Sequence, residues 1–402
     1  MWRTGAEVSF PETLKIPEPI LEIARTLEGA GFQAWCVGGT LRDTLLGYPQ
    51  SDYDIATSAM PEQVQALFPK TIGVGIKYGT VGVLDRKREL HEVTTFRRDV
   101  ATDGRHAVVA YGVALEDDLA RRDFTINAIA YHPLRREWRD PFDGARDLED
   151  RLIRAVGDPA QRFREDYLRI LRALRFAARF DFSVDPRTWE AARAAAPGLE
   201  RLSAERVRDE WFKSLRTTSS LSRLVSLWKE VGAARAWIPE LDAGLGSGAD
   251  IPTPPTGERD PVLLTALLCS SPAAVLKRLK ASNAEVDRAR GLERGPEAPA
   301  GKDERSVRRW LARTGESADD LSALWALRHG GDPPWGEAVR EIRRRGDALT
   351  RTDLAVSGSD MEALGARGPR IGQMLTDLLD QVLEDPALNT KDRLLDLARK
   401  MG

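Results

Sequence analysis

Asp52 and Asp54, two carboxylates one residue apart, follow closely on the stretch Gly38-Gly39-Thr40-Leu41-Arg42-Asp43. On a strand, residues i and i+2 face the same way, so both aspartates can converge on one point. Carboxylates held that close raise each other's pKa unless a cation sits between them. Oxygen ligands suit a hard divalent ion, with Mg²⁺ the expected cofactor. Two metal ions bridged by the pair could activate an attacking hydroxyl and stabilise a leaving pyrophosphate. A D-x-D by itself is a common surface pattern; the glycine turn before it gives it weight. Glycines let a phosphate approach the backbone, and a following helix start offers N–H groups and the positive end of its dipole. Arg42, in the first turn of that helix, adds a charged donor.

Two further groups fit the same chemistry. Arg121-Arg122-Asp123 reads either as an exposed ion-pair cluster or as a clamp for a triphosphate, which needs guanidinium partners. Downstream, Glu165-Asp166-Tyr167-Leu168-Arg169 leads to Arg172 and Arg175. Read as one continuous helix, the segment puts Asp166 and Arg169 at i, i+3 on one face. An Asp accepts and an Arg donates. Cytosine and adenine each present an exocyclic amine beside a ring-nitrogen acceptor, so such a pair could accept C and A and reject U and G, at about 1–3 kcal/mol per base contact. Taken alone, the same residues would be salt bridges on a solvated helix face, Glu165 with Arg169 among them.

The elements that must position these residues change character along the chain. Residues 18–31 have helical spacing and AWCVGG is a short buried strand ending in a glycine turn. LRDTLLG is a helix, DYDIAT a strand, PEQVQALF a helix, and GTVGVLD and HEVTTF are strands. Beyond about residue 147 strand signals disappear, and Pro/Gly-rich stretches at 243–261 and 290–304 read as loops between helices. The expected fold class is therefore α+β, a mixed-sheet head followed by an all-α remainder.

Composition sets outer limits. The 402 residues are too many for one compact core. No apolar run approaches the roughly 20 residues needed to span a bilayer, so no membrane association is expected. The two cysteines, Cys36 and Cys269, are far apart in apolar segments and read as buried thiols of a cytoplasmic protein. Lys and Arg total 60 against 62 Asp and Glu, a net charge of −2, which argues against binding nucleic acid by bulk charge. Local basic clusters remain, at Lys277-Arg278-Leu279-Lys280 and Arg343-Arg344-Arg345.

The series VGGTLRD, DYDIAT, EVTTFRRD, LARRDFTINAIAY, DPFDGARDLEDRLIRAVGDP, RFREDYLRILRALRFAARF and SAERVRDE resembles, in order, the motifs of class II tRNA nucleotidyltransferases. These are the CCA-adding enzymes of the polymerase-beta-like superfamily, which also holds bacterial poly(A) polymerases. The resemblance is strong over residues 20–240 and weaker at the end of the chain. It implies a nucleotidyltransferase head over 1–147, a base-recognising neck over 148–220, a body over 221–345 and a tail over 346–402. It implies addition of C and A to a tRNA 3′ end from CTP and ATP without a template. A-only or CC-only addition, poly(A) synthesis and an RNA-binding protein with a retired head stand as alternatives. On the matching positions, Asp52 and Asp54 would be catalytic and bind Mg²⁺. Gly39, Arg42 and Arg122 would hold the nucleotide phosphates, and Asp166 and Arg169 would read the base with Arg172 and Arg175 nearby. Glu205 and Arg206 resemble a motif that braces the neck, or are ordinary helix salt bridges. Thr102-Asp103-Gly104-Arg105 resembles the loop tied to adding the terminal A, although His106 replaces a more usual basic residue. Glu92 is a candidate third acidic group near the metals. No protein partner is implied.

Overall fold

The computed structural model describes residues 10–48, 53–102, 107–241, 251–255, 257 and 259–401. Two compact units divide the chain, Met1–Pro239 and Glu240–Gly402.

In the first unit, α1 (Glu18–Gly29) buries Ile20, Ile23, Ala24 and Leu27, the stripe its spacing predicts. All of β1 (Ala34–Val37) is buried. Gly38 turns the chain with φ +79°, a conformation that suits glycine, into the seven-residue α2 (Gly39–Leu45). Then follow β2 (Asp54–Thr57), α3 (Pro61–Leu67), β3 (Thr71–Gly75), β4 (Thr80–Leu84), β5 (Leu90–Thr95), β6 (Arg97–Thr102), β7 (Ala107–Tyr111), α4 (Leu115–Ala120), β8 (Ala130–His132) and β9 (Glu137–Arg139).

Seven strands make one mixed sheet in the order β3-β4-β5-β2-β1-β8-β9, and β6 with β7 forms a separate antiparallel ribbon. β1 is antiparallel to β2 and β8, whereas β2 and β5 run parallel. Alternation along the strands sends Cys36, Ile55, Val83 and Val93 into a core shared with α1 and α3. Trp35, Val37, Ala56 and Ala130 face the other way, onto Leu115 and Leu119 of α4. Each fully buried large aliphatic side chain contributes roughly 2 kcal/mol.

The helical part of this unit runs through α5 (Gly144–Glu149), α6 (Pro159–Glu165), α7 (Leu168–Phe180), α8 (Pro186–Ala195), α9 (Ala204–Thr217), α10 (Leu221–Val231) and α11 (Ala233–Trp237). Phe176, Ala177 and Phe180 of α7 pack on Phe124, Ile126 and Ile129, so helical segment and sheet share a core.

Two expectations need correction here. Strand pairing does not cease after residue 147: β10 (Leu152–Ile153) and β11 (Ser183–Val184) form a short parallel pair, too brief to leave a periodic signal. The segment 165–180 is not one helix either. It breaks at Asp166, whose φ of −156° and ψ of 107° are extended.

The second unit contains helices from α12 (Pro261–Leu268) to α20 (Lys391–Lys400) and, among its described residues, no strand. One core gathers around Trp310, Trp335 and Ile342, another around Met361, Leu378 and Leu394. The stretch 290–304 is a loop only in part, since helix Asn283–Arg294 continues into it behind a Ser282–Glu285 capping box. Among the described residues no helix is long and apolar enough to cross a membrane.

Candidate active site

A cavity of about 440 Å³ in the first unit is lined by Gly38, Gly39, Arg42, Asp54, Arg121, Arg122, Asp123, Asn127, Asp166, Arg169, Arg172, Arg175 and Phe176. Every nucleotide-binding position expected from the sequence is among them, and so is Asp54. Asp52 lies outside the described residues.

The glycine turn brings the first elements together. A Cβ on Gly38 would stand 2.9 Å from Arg122 Nη1 and 3.8 Å from Asp54 Oδ2, so only a bare backbone admits the guanidinium there. Val37, just before the turn, pairs with Asp54 in the β1–β2 register, which sets the carboxylate beside it. Asp54 is exposed. Its charge, after burial itself, pushes the Cys36 thiol up, leaving that cysteine protonated and inert. Glu92 occupies the strand position level with Asp54, one step before the Ile55–Val93 pair of the parallel β2–β5 ladder, and is also exposed.

Buried carboxylates hold the arginines from behind. Asp118, 2% exposed at its side chain, accepts from Arg121 through Oδ1 at 2.9 Å and from Arg122 through Oδ2 at 3.3 Å. Burial opposes ionisation of Asp118, but Arg122 and Arg121 overcome it and hold its carboxyl below the usual range. Arg42 is 4% exposed. It donates twice to Asp43 Oδ1, at 2.8 and 2.7 Å, and once to Asn127 Oδ1 at 2.5 Å, with its guanidinium over the Phe176 and Phe180 rings. Burial pulls its pKa down to about 10, with Asp43 acting against that, so it stays charged at neutral pH. Arg42 therefore borders the cavity as part of a buried network rather than as a reaching arm.

The same pattern continues on α7. Arg172 Nε donates to Asp123 Oδ2 at 2.7 Å, and Arg175 Nε donates to Glu210 Oε2 at 2.7 Å. Burial disfavours the charged form of Asp123, yet the Arg172 charge and hydrogen bonds from Asn127 and Arg172 hold its carboxyl far below the ordinary value. Asp118, Asn127 and Glu210 were not singled out from the sequence. Glu210 left a signal there: it sits on the buried stripe of α9, with Val207 at i−3 and Ser214 at i+4.

Asp166 and Arg169 both reach the cavity but not as one helix face. The helix break leaves Asp166 at the junction of α6 and α7, where Oδ1 accepts from Leu168 N at 3.0 Å and Oδ2 from Arg206 Nη2 at 2.7 Å. Arg169 donates to Glu165 Oε2 at 2.6 Å and to the Arg162 and Arg121 carbonyls. Arg206, expected as a brace, thus grips Asp166. Beside the break, a Cβ on Gly198 would fall 2.0 Å from the Tyr167 ring, so these two residues are in direct contact. Of the stretch Thr102–His106, residues 103–106, which join β6 to β7, lie outside the described residues.

A polar cavity faced by arginines, with one carboxylate on its rim, is the site of a protein that takes a polyanion and does metal-assisted chemistry on it. Comparison with known proteins gives that class a family. Residues 34–154 match the family model "Poly A polymerase head domain" and residues 181–245 the model "Probable RNA and SrmB- binding site of polymerase A". A CCA-adding enzyme of Streptococcus suis is 46% identical over 219 residues, 52% of this chain and 53% of that protein, so the chain spans about half the length of that relative. A CCA-adding enzyme of Streptococcus mutans is 35% identical over 97% of this chain and 98% of its own. The crystal structure of the Bacillus stearothermophilus CCA-adding enzyme in complex with CTP superposes with a TM-score of 0.77 at 33% identity, covering 96% of this chain and 97% of that one. The chain belongs to the class II CCA-adding enzyme family of nucleotidyltransferases.

Proposed function

We propose that the protein adds C and A to the 3′ end of tRNA from CTP and ATP without a template. The observation that carries this reading is the convergence of Asp54, Arg122, Asp166, Arg169, Arg172 and Arg175 on one cavity. The near-full-length likeness to CCA-adding enzymes supports it. In the reaction, the RNA 3′-oxygen forms a bond to the nucleotide α-phosphorus while the bond from that phosphorus to the bridging oxygen breaks, releasing pyrophosphate. Such transfer needs positioning and charge stabilisation more than covalent help.

Asp54 is exposed to the cavity and Glu92 stands level with it, an oxygen-only donor set that fits a hard divalent ion, Mg²⁺ in our reading. Asp52 and Asp54 would hold it, with Glu92 as a third acid. When bound, such an ion supplies a Lewis acid for the phosphoryl oxygens. Arg122, against the glycine turn, receives the phosphates at Gly39, while Asp43 and Asp118 keep Arg42 and the Arg121–Arg122 pair in place. Asp166 and Arg169 turn their remaining hydrogen-bonding capacity to the base edge, and Arg172 and Arg175 complete the wall.

Within this reading residues 1–147 act as head, 148–220 as neck, 221–345 as body and 346–402 as tail, with tRNA lying along the helical parts. A cytoplasmic location belongs to the same proposal, resting on the buried thiols of Cys36 and Cys269.

The test is extension of tRNA lacking its 3′ end with each labelled nucleotide. Addition ending at CCA supports the proposal, one A alone or two C alone narrows it, and long A tails replace it with poly(A) synthesis. Asp166→Asn swaps an acceptor-only group for an amide, so discrimination of CTP over UTP should fall by about tenfold or more. Unchanged discrimination would remove Asp166 from base reading.

A further inference from the structure

On the other face of the sheet, the turn between β4 and β5 gathers three groups that the nucleotide site does not use. We propose that Asp85, Glu89 and His91 bind one transition-metal dication, with Zn²⁺ the best match. One ligand atom from each lies within 4.8 Å of the other two.

The observation that points to a ligand is His91. The residue is 8% exposed, and neither Nδ1 nor Nε2 has a hydrogen-bond partner. A buried imidazole with both nitrogens unsatisfied is costly to keep unless something else takes up the lone pair. Its Nε2 faces Asp85 Oδ2 at 3.5 Å. That is long for a hydrogen bond, but it is close to the edge of a tetrahedron with arms of about 2.1 Å, roughly 3.4 Å, as zinc adopts with nitrogen and oxygen ligands.

Asp85 is already aimed. Its Oδ1 accepts from the Lys87 and Glu89 backbone N–H groups, each at 2.8 Å, which leaves Oδ2 toward His91. Fixed partners of this kind orient a metal-binding carboxylate. The turn is closed by the Asp85 N–H to the Glu89 carbonyl at 3.0 Å and by Arg88 in a left-handed conformation, φ +66°, so the ligands are placed before any ion arrives. Of the neighbouring cations, Arg86 is drawn to Glu22 on α1 at 3.2 Å, and Arg88 is exposed.

One imidazole and two carboxylates leave a fourth position for water, a set that suits Zn²⁺ better than Mg²⁺. The site is distinct from the nucleotide cavity. His91 pairs across the ladder with Val83, whose face is covered by α1, whereas Glu92 points the opposite way, with Asp54. A bound ion would clip the end of β4 to the start of β5.

The experiment uses the full chain carrying Asp52→Asn and Asp54→Asn, stripped with a chelator and titrated calorimetrically with Zn²⁺ alone. Cobalt(II) absorption serves as a second readout. We expect one equivalent bound, a tetrahedral cobalt spectrum, and a Tm raised by the metal. His91→Asn should abolish all three. Glu89→Gln, at an exposed turn position that leaves the core untouched, should weaken binding by about tenfold or more. Uptake that neither variant weakens overturns the proposal. So does the absence of Zn²⁺ uptake, the result expected if His91 simply pairs with Asp85.

Discussion

In the first unit, Arg42, Arg122, Arg172 and Arg175 bring guanidinium groups to a single cavity, each held from behind by a carboxylate or carbonyl. In the second unit, the run Arg343-Arg344-Arg345 is the denser basic cluster in sequence, yet it is spread over the surface. Arg343 pairs with Asp319 at 2.7 Å, Arg344 with Glu341 at 2.6 Å and Arg345 with Glu304 at 2.5 Å. Arg278 of the other basic run is likewise occupied by Glu240. Adjacency in the chain sends neighbouring arginines in different directions around a helix, whereas arginines from separate elements can face one point. Convergence, not local density, marks the site.

The comparison can be broken at several points. Asp54→Ala should have the largest effect, lowering single-turnover extension of truncated tRNA by about a thousandfold, while its exposure leaves the urea midpoint unchanged. Activity within a few-fold of the parent would remove the centre from the cavity.

Arg175→Met should cost about 3 kcal/mol of stability, because it leaves Glu210 buried with Arg172 as its remaining partner at 3.6 Å. Urea unfolding measures this, and Arg175→Met combined with Glu210→Met should recover most of it.

Asp123 gives a pH signature. Its carboxyl is depressed in the folded protein, so its contribution is fully present above the unfolded value of about 4 and fades as pH falls toward the lower folded value. Stability measured between pH 4 and pH 2 should therefore drop more steeply in the parent than in Asp123→Asn. Equal slopes would place the acid sensitivity elsewhere.

The smallest effect belongs to Arg344→Ala, whose partner is an exposed neighbour on its own helix. Neither the urea midpoint nor the KM for tRNA should move. A several-fold rise in KM would show that the basic run does reach RNA.

The sequence allowed the head to be read well because its signals are local. Short apolar strands, glycine turns and capped helices are written within a few residues of one another, and Gly38, Asp54 and Arg122 stand together as their motif order implies. The neck was harder. Apolar spacing continues through 165–180 with no glycine or proline to mark a stop, so a single helix was the natural reading. What breaks it are distant contacts, Arg206 on Asp166 and Gly198 under Tyr167, which no local window contains. The supporting carboxylates stayed hidden for the same reason: Glu210 finds its arginine 35 residues away.

The contact between Tyr167 and Gly198 has an implication for how such an enzyme changes over time. Even a single methyl at position 198 would displace the aromatic ring, and Asp166 is its immediate neighbour along the backbone. Nucleotide preference is therefore exposed to drift at a site some thirty residues downstream, outside the cavity's own lining. Selection for accurate tails would act on that glycine as strictly as on the residues that meet the base.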